Sequence, residues 1–240
     1  MSATLITRIR TLAFALILCA CGRSVPVHNS GAAASPSQQS GQVEAATVTT
    51  PDVVPVESPS PTPVPKPDIL SRQDWNAHPP IGEMKRHTLA HITIHHTASP
   101  QSSRRTIVAK MQALQKFSQS AHRVAARAPL KPAWPDVPYH FYVAVDGQIA
   151  EGRSLDYAGD TNTDYDPTGH ALVVLEGNFE NEQPSAQQLR SLYELTLWLA
   201  RERRIAAVEI KGHKEKAATL CPGRNLQKLL PELRNYVQSR

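Results

Sequence analysis

The chain has 240 residues, with 26 Lys and Arg against 21 Asp and Glu, for a formal charge of +5. A modest basic excess favours anionic wall polymers or lipid headgroups. With no Lys/Arg run interleaved with aromatics, and with an export signal ahead of it, the sequence excludes a nucleic-acid module.

Residues 1–21 read as a lipoprotein signal peptide. Arg8 and Arg10 carry the positive charge, 11–18 form a short apolar core, and Leu18-Cys19-Ala20-Cys21 supplies small residues before a cysteine. The apolar stretch is too short for a bilayer, which needs roughly 20 residues. Cleavage before Cys21 would leave Cys21 acylated. Residues 22–67 read as a tether: Pro59-Ser60-Pro61-Thr62-Pro63-Val64-Pro65 favours extended polyproline conformation and cannot build a core. The folded domain is expected over 68–240, a single-domain length.

Within it, 88–95 end in alternating Ile92 and Ile94, a strand that delivers His95 to its end. Residues 104–120 place Ile107, Met111, Leu114 and Phe117 on one helix face. An aromatic, β-branched run over 139–145, the turn Asp146-Gly147 and a return over 148–152 predict a hairpin. The continuous apolar run 170–175 predicts a strand buried on both faces. Ser185 is the expected N-cap of a helix with Leu189, Leu192, Thr196 and Leu199 on one side. A short strand over 208–210 leads into Gly212-His213, and a last helix from Asn225 buries Leu226, Leu229, Leu230 and Leu233, interrupted or bent by Pro231. Strands alternating with helices predict the α/β class: one globular domain with a mixed β-sheet and helices on its faces.

Imidazole and thiolate are the preferred ligands of zinc, and three protein ligands with an open fourth position can activate water. His213 and Cys221 stand eight residues apart, and His95-His96 close an apolar run far upstream. Removal of Cys19 and acylation of Cys21 leave Cys221 as the one free thiol in an oxidising compartment, where metal ligation fits. Neighbours on a strand point to opposite faces, so only one of His95 and His96 should face the site. His122, His140 and His170 stay open as further ligands on this reading.

Ser71-Arg72-Gln73-Asp74-Trp75, Ile94-His95-His96-Thr97-Ala98, Val137-Pro138-Tyr139-His140-Phe141, Glu151-Gly152-Arg153, Gly177-Asn178-Phe179 and Gly212-His213 with Thr219-Leu220-Cys221-Pro222-Gly223 occur in this order. Together they resemble the zinc-dependent N-acetylmuramoyl-L-alanine amidases, the family shared by bacteriophage amidases and peptidoglycan recognition proteins. The resemblance implies His95, His213 and Cys221 as zinc ligands, with Tyr139 and Thr219 near the reacting carbonyl. It implies hydrolysis of the amide between N-acetylmuramic acid and L-alanine, with peptidoglycan or muropeptides as partner. Glu151 is a candidate general base at the hairpin end. Ala158-Gly159-Asp160 stands where many members carry Gly-Ala-His, and 127–136 looks like an insertion beside the groove. The alternative is a non-catalytic muropeptide-binding module. The lipid anchor at Cys21, followed by Gly22, resembles that of lipoproteins sorted to an outer membrane, so a periplasm-facing location is expected, and the protein is expected to be a monomer.

Overall fold

The computed structural model describes residues 63–123 and 127–240. The leader 1–21, with Cys21, and most of the tether, 22–62, lie outside the described residues. The elements in chain order are β1 (Ile69–Leu70), β2 (His91–His96), α1 (Ile107–Ser118), β3 (His122–Arg123), β4 (Leu130–Lys131), β5 (Phe141–Val143), β6 (Ile149–Glu151), β7 (His170–Leu175), α2 (Ala186–Glu202), β8 (Ile210–Gly212), α3 (Arg224–Gln227) and α4 (Leu230–Gln238). Six strands form a mixed sheet in the order β1-β6-β5-β7-β2-β8, and β3 and β4 pair separately.

β5, β7, β2 and β8 run parallel to one another, while β6 turns back antiparallel on β5. β7 sits between β5 and β2, and all six of its residues are buried, as its unbroken apolar run requires. In β2 the alternation separates two faces: Ile92 and Ile94 enter one core with Phe141, Val173 and the apolar sides of α2 and α4. Tyr139, Leu172 and Val174 belong to a second core on the other side, closed by Trp75 and by Ile107, Met111 and Leu114 of α1. Helices therefore cover both faces of the sheet.

The helix ends follow from side-chain chemistry. Thr106 caps α1 by accepting the Ala109 N–H, and Ser185 opens α2 in a capping box with Gln188. Leu192, Thr196 and Leu199 of α2 are buried, and Leu189 is half-buried at the margin.

Two expected boundaries shift, and the break at Pro231 takes a definite form. The strand placed over 208–210 starts two residues later: Glu209 N–H closes a 3-10 turn on Ala206, Val208 is exposed, and pairing with β2 begins at Ile210. The last helix is interrupted as expected: α3 ends at Gln227 and α4 begins at Leu230, with Pro231 in its first turn, where its missing N–H costs nothing. Packing begins before Asp68, since Val64 lies against the core and Lys66 over the Trp198 ring at 5.4 Å.

The Ser-Arg-Gln-Asp-Trp segment fastens the domain's start to the hairpin. Trp75 is fully buried with Nε1 donating to the Glu151 carbonyl, and Arg72 bonds the Gly152 carbonyl and pairs with buried Asp136 at 2.8 Å. The 127–136 segment is thereby tied into the fold at its end, after contributing β4. No helix among the described residues is long and apolar enough to cross a membrane.

Candidate metal centre

The parallel strands bring three side chains to one point. His95 lies near the end of β2 on the α1 side of the sheet, and His213 follows directly after β8. Cys221 is carried back to them by a closed loop: Lys214 N–H donates to the Cys221 carbonyl at 2.7 Å, and Gly223 N–H to the Leu220 carbonyl. A cis peptide joins Cys221 to Pro222. Gly223 then takes φ +91°, and a Cβ there would lie 2.4 Å from the Phe179 backbone, so only glycine fits.

The ligand atoms of His95, His213 and Cys221 lie within 4.8 Å of one another, and all three residues are buried. Cys221 Sγ is 3.6 Å from His95 Nδ1. Sulfur and nitrogen ligands of one tetrahedral zinc ion, at bond lengths of about 2.3 and 2.0–2.1 Å, stand about 3.5 Å apart. His213 Nδ1 is buried with no hydrogen-bond partner, and among the described residues His95 Nδ1 has the Cys221 thiol as its partner. A buried nitrogen left without a partner is costly unless something binds it. The donor set of two imidazoles and one thiol therefore fits zinc, which His95, His213 and Cys221 would hold.

Burial keeps all three ligands neutral in the absence of a cation. Loss of water pushes the Cys221 thiol up to about 12, although the His96 N–H aimed at Sγ opposes this. The same cause holds His213 down to about 4 and His95 well below the ordinary imidazole range. Neutral imidazoles are ready to ligate, whereas the thiol needs a cation to displace its proton.

His96 points to the opposite face, where its Nδ1 accepts the Phe179 N–H. His140 is clamped between the Leu172 N–H at Nδ1 and the Tyr157 carbonyl at Nε2. His170 bonds Thr93 Oγ1 at 2.7 Å and stacks on His91. Each has its own partners, away from the trio; the side chain of His122 lies outside the described part.

Tyr139 is buried with its ring centroid 5.3 Å from that of His95, and burial raises its hydroxyl pKa, so it stays a phenol. Thr219 Oγ1 accepts the Cys221 N–H at 3.2 Å, which leaves the hydroxyl proton free. Glu151 is a correction. It pairs with Phe141, Phe141 with Val173, and Val173 with Ile94. Cross-strand partners share a face, so Glu151 stands three strands, about 14 Å, from β2 on the side opposite His95. It cannot serve as base at this site.

Two residues without a sequence signal join the site. Thr163 Oγ1 lies 2.7 Å from His213 Nε2, and the Tyr165 ring packs 5.1 Å from the His213 ring with its hydroxyl buried. Both line a cleft of about 460 Å³ with Glu83, Lys85, Arg153 and Asp160. Buried Arg153 pairs with Asp160 and binds the Val137 and Ala158 carbonyls, so the Ala158-Gly159-Asp160 segment is fixed in the cleft wall.

The fold is an α/β domain with a mixed sheet, and β2 with the loops after β8 brings together two imidazoles and a thiol that could hold a metal. The comparisons narrow this class. The family model for N-acetylmuramoyl-L-alanine amidase matches residues 85–224, and the chain belongs to that family. Peptidoglycan-recognition protein SD of Drosophila simulans is 27% identical over 178 residues, covering 71% of this chain and 88% of its own. The N-acetylmuramoyl-L-alanine amidase of Sus scrofa is 29% identical over 171 residues, 68% of this chain and 27% of that longer protein. The crystal structure of Drosophila peptidoglycan recognition protein SD superposes with a TM-score of 0.60 at 27% identity, covering 69% of this chain and 94% of that one.

Proposed function

We propose that this chain is a zinc-dependent N-acetylmuramoyl-L-alanine amidase that cuts the bond between N-acetylmuramic acid and the L-alanine of the stem peptide. The observation that carries the reading is the convergence of His95, His213 and Cys221, all buried, with His213 Nδ1 left without a hydrogen-bond partner. The intact cysteine favours an enzyme over a muropeptide-binding module, since a pure binding cleft has no use for a buried three-ligand cluster.

When bound, zinc supplies Lewis acidity, polarising a carbonyl and making hydroxide available near neutral pH. The chain's own residues do the rest. The cleft wall that includes Asp160, Thr163 and Tyr165 orients the muropeptide, and the contacts of Thr163 and Tyr165 with His213 set that wall against the ligand cluster. Tyr139, kept protonated by burial, donates a hydrogen bond to the oxyanion that develops on the carbonyl. Thr219, with its oxygen engaged by the Cys221 N–H, directs its free proton to the same place. Donors of this kind contribute about 2.7–4 kcal/mol each to the transition state.

The reading extends to location. The charged start, short apolar core and Leu18-Cys19-Ala20-Cys21 support lipidation at Cys21, and Gly22 supports retention in an outer membrane with the domain facing the periplasm. Labelled fatty acid should enter the chain and be lost in Cys21→Ala; recovery of the unmodified protein from the cytosol would overturn this part. The amidase reading is tested by incubating the protein with purified muropeptides and looking for free stem peptides that begin with L-alanine. Binding without cleavage, in the presence of zinc, would move the assignment to a recognition module.

A further inference from the structure

Of the two histidines in the cluster, His213 has a hydroxyl partner on one ring nitrogen. Its Nε2 lies 2.7 Å from Thr163 Oγ1, while Nδ1 is buried and unpartnered. Thr163 is itself held: its Oγ1 lies 2.8 Å from Thr161 Oγ1, and its backbone N–H donates to that same oxygen at 3.2 Å. Two residues further on, the Tyr165 ring covers His213. One short stretch thus grips the imidazole by its edge and by its face. Thr161, Thr163 and Tyr165 also line the 460 Å³ cleft, so the wall that would touch a substrate is the wall that holds the ligand.

We infer that Thr163 is a positioning residue for His213, selecting the tautomer with the proton on Nε2 and thereby keeping the Nδ1 lone pair free for the metal. The hydroxyl accepts from Nε2–H and passes its own proton to Thr161 Oγ1, so the pair specifies both ring orientation and proton position. Partners of this kind typically govern metal affinity by 10–100-fold. This inference rests on the zinc reading of the site, but it concerns affinity rather than turnover.

The test is zinc affinity by chelator competition on the chain from Gly22 onward, comparing the parent with Thr163→Val and Thr163→Ser. Valine should weaken zinc binding roughly 10–100-fold, and serine, which restores the hydroxyl, should return it to within about threefold. Thermal unfolding of the zinc-free proteins should change little, separating positioning from a purely structural role. Equal affinity in the valine variant would overturn the inference, as would equal loss in the valine and serine variants. Should Thr163→Val fail to fold, nitrogen-15 NMR of the zinc-free parent still decides: His213 should carry its proton on Nε2, and a proton on Nδ1 would refute the assignment. If the parent itself binds no zinc, the amidase reading falls; if it binds zinc and Thr163→Val matches it, only this inference falls.

Discussion

Replacing Cys221 by Ser perturbs the metal centre at its most informative ligand. Sγ sits 3.6 Å from His95 Nδ1 and accepts the His96 N–H at 3.4 Å. A serine hydroxyl accepts the same N–H, so the metal-free domain should lose only about 1 kcal/mol, a few degrees in Tm. Zinc affinity should fall much further. Apparent zinc binding energies of about 10–16 kcal/mol, shared over four thiolate or imidazole ligands, come to about 2.5–4 kcal/mol per ligand. Loss of the thiolate should therefore weaken zinc binding by two to three orders of magnitude, with muropeptide cleavage lost alongside. The assay is competition with a chromogenic chelator at neutral pH, run beside thermal unfolding in excess chelator. A serine variant that holds zinc as tightly as the parent, or cleaves as fast, would refute the ligand assignment.

Three further outcomes follow from the same geometry. His140 has both ring nitrogens occupied in its neutral form, and burial holds it down to about 3 against an ordinary 6.5. The unfolded chain binds the extra proton between these values, so this contribution to stability is complete above 6.5 and is lost as pH falls toward 3. At pH 5 the loss is about 2 kcal/mol; urea unfolding in chelator should show it, and a flat profile from pH 7 to 5 would contradict the clamp. Tyr139→Phe should lower kcat by about 10²–10³ with zinc content unchanged, checked by turnover and metal analysis together; an unchanged kcat would remove Tyr139 from the reaction. Glu151→Gln should leave turnover within about twofold, since the residue stands on the far face of the sheet; a tenfold loss would reinstate it as a candidate base.

The sequence made the strand faces readable where alternation was strong. Ile92 and Ile94 enter one core while His95, on the other face of β2, meets His213 and Cys221, and His96 turns to Phe179. The unbroken run 170–175 and the Ser185 cap were equally legible, because burial on two faces and capping chemistry are local properties. What stayed hidden depends on register. Glu151 looks well placed at a hairpin end, and only the pairing through β5 and β7 shows that it shares a face with Ile94. Thr163 and Tyr165 lie in a stretch rich in Asp, Asn and Thr, with no periodicity to mark them. Their role arises from a loop folding over His213, which no spacing rule anticipates. β1 and β3 are two residues each, too short to leave a pattern.

The most direct measurement of the central claim is product analysis. The chain from Gly22 onward is incubated with purified peptidoglycan, with and without chelator, and the soluble products are weighed by mass spectrometry. Free stem peptides beginning with L-alanine, lost on chelation and restored by added zinc, are the predicted result. Intact amides in the presence of zinc, with the protein still bound to the wall, would contradict the amidase assignment.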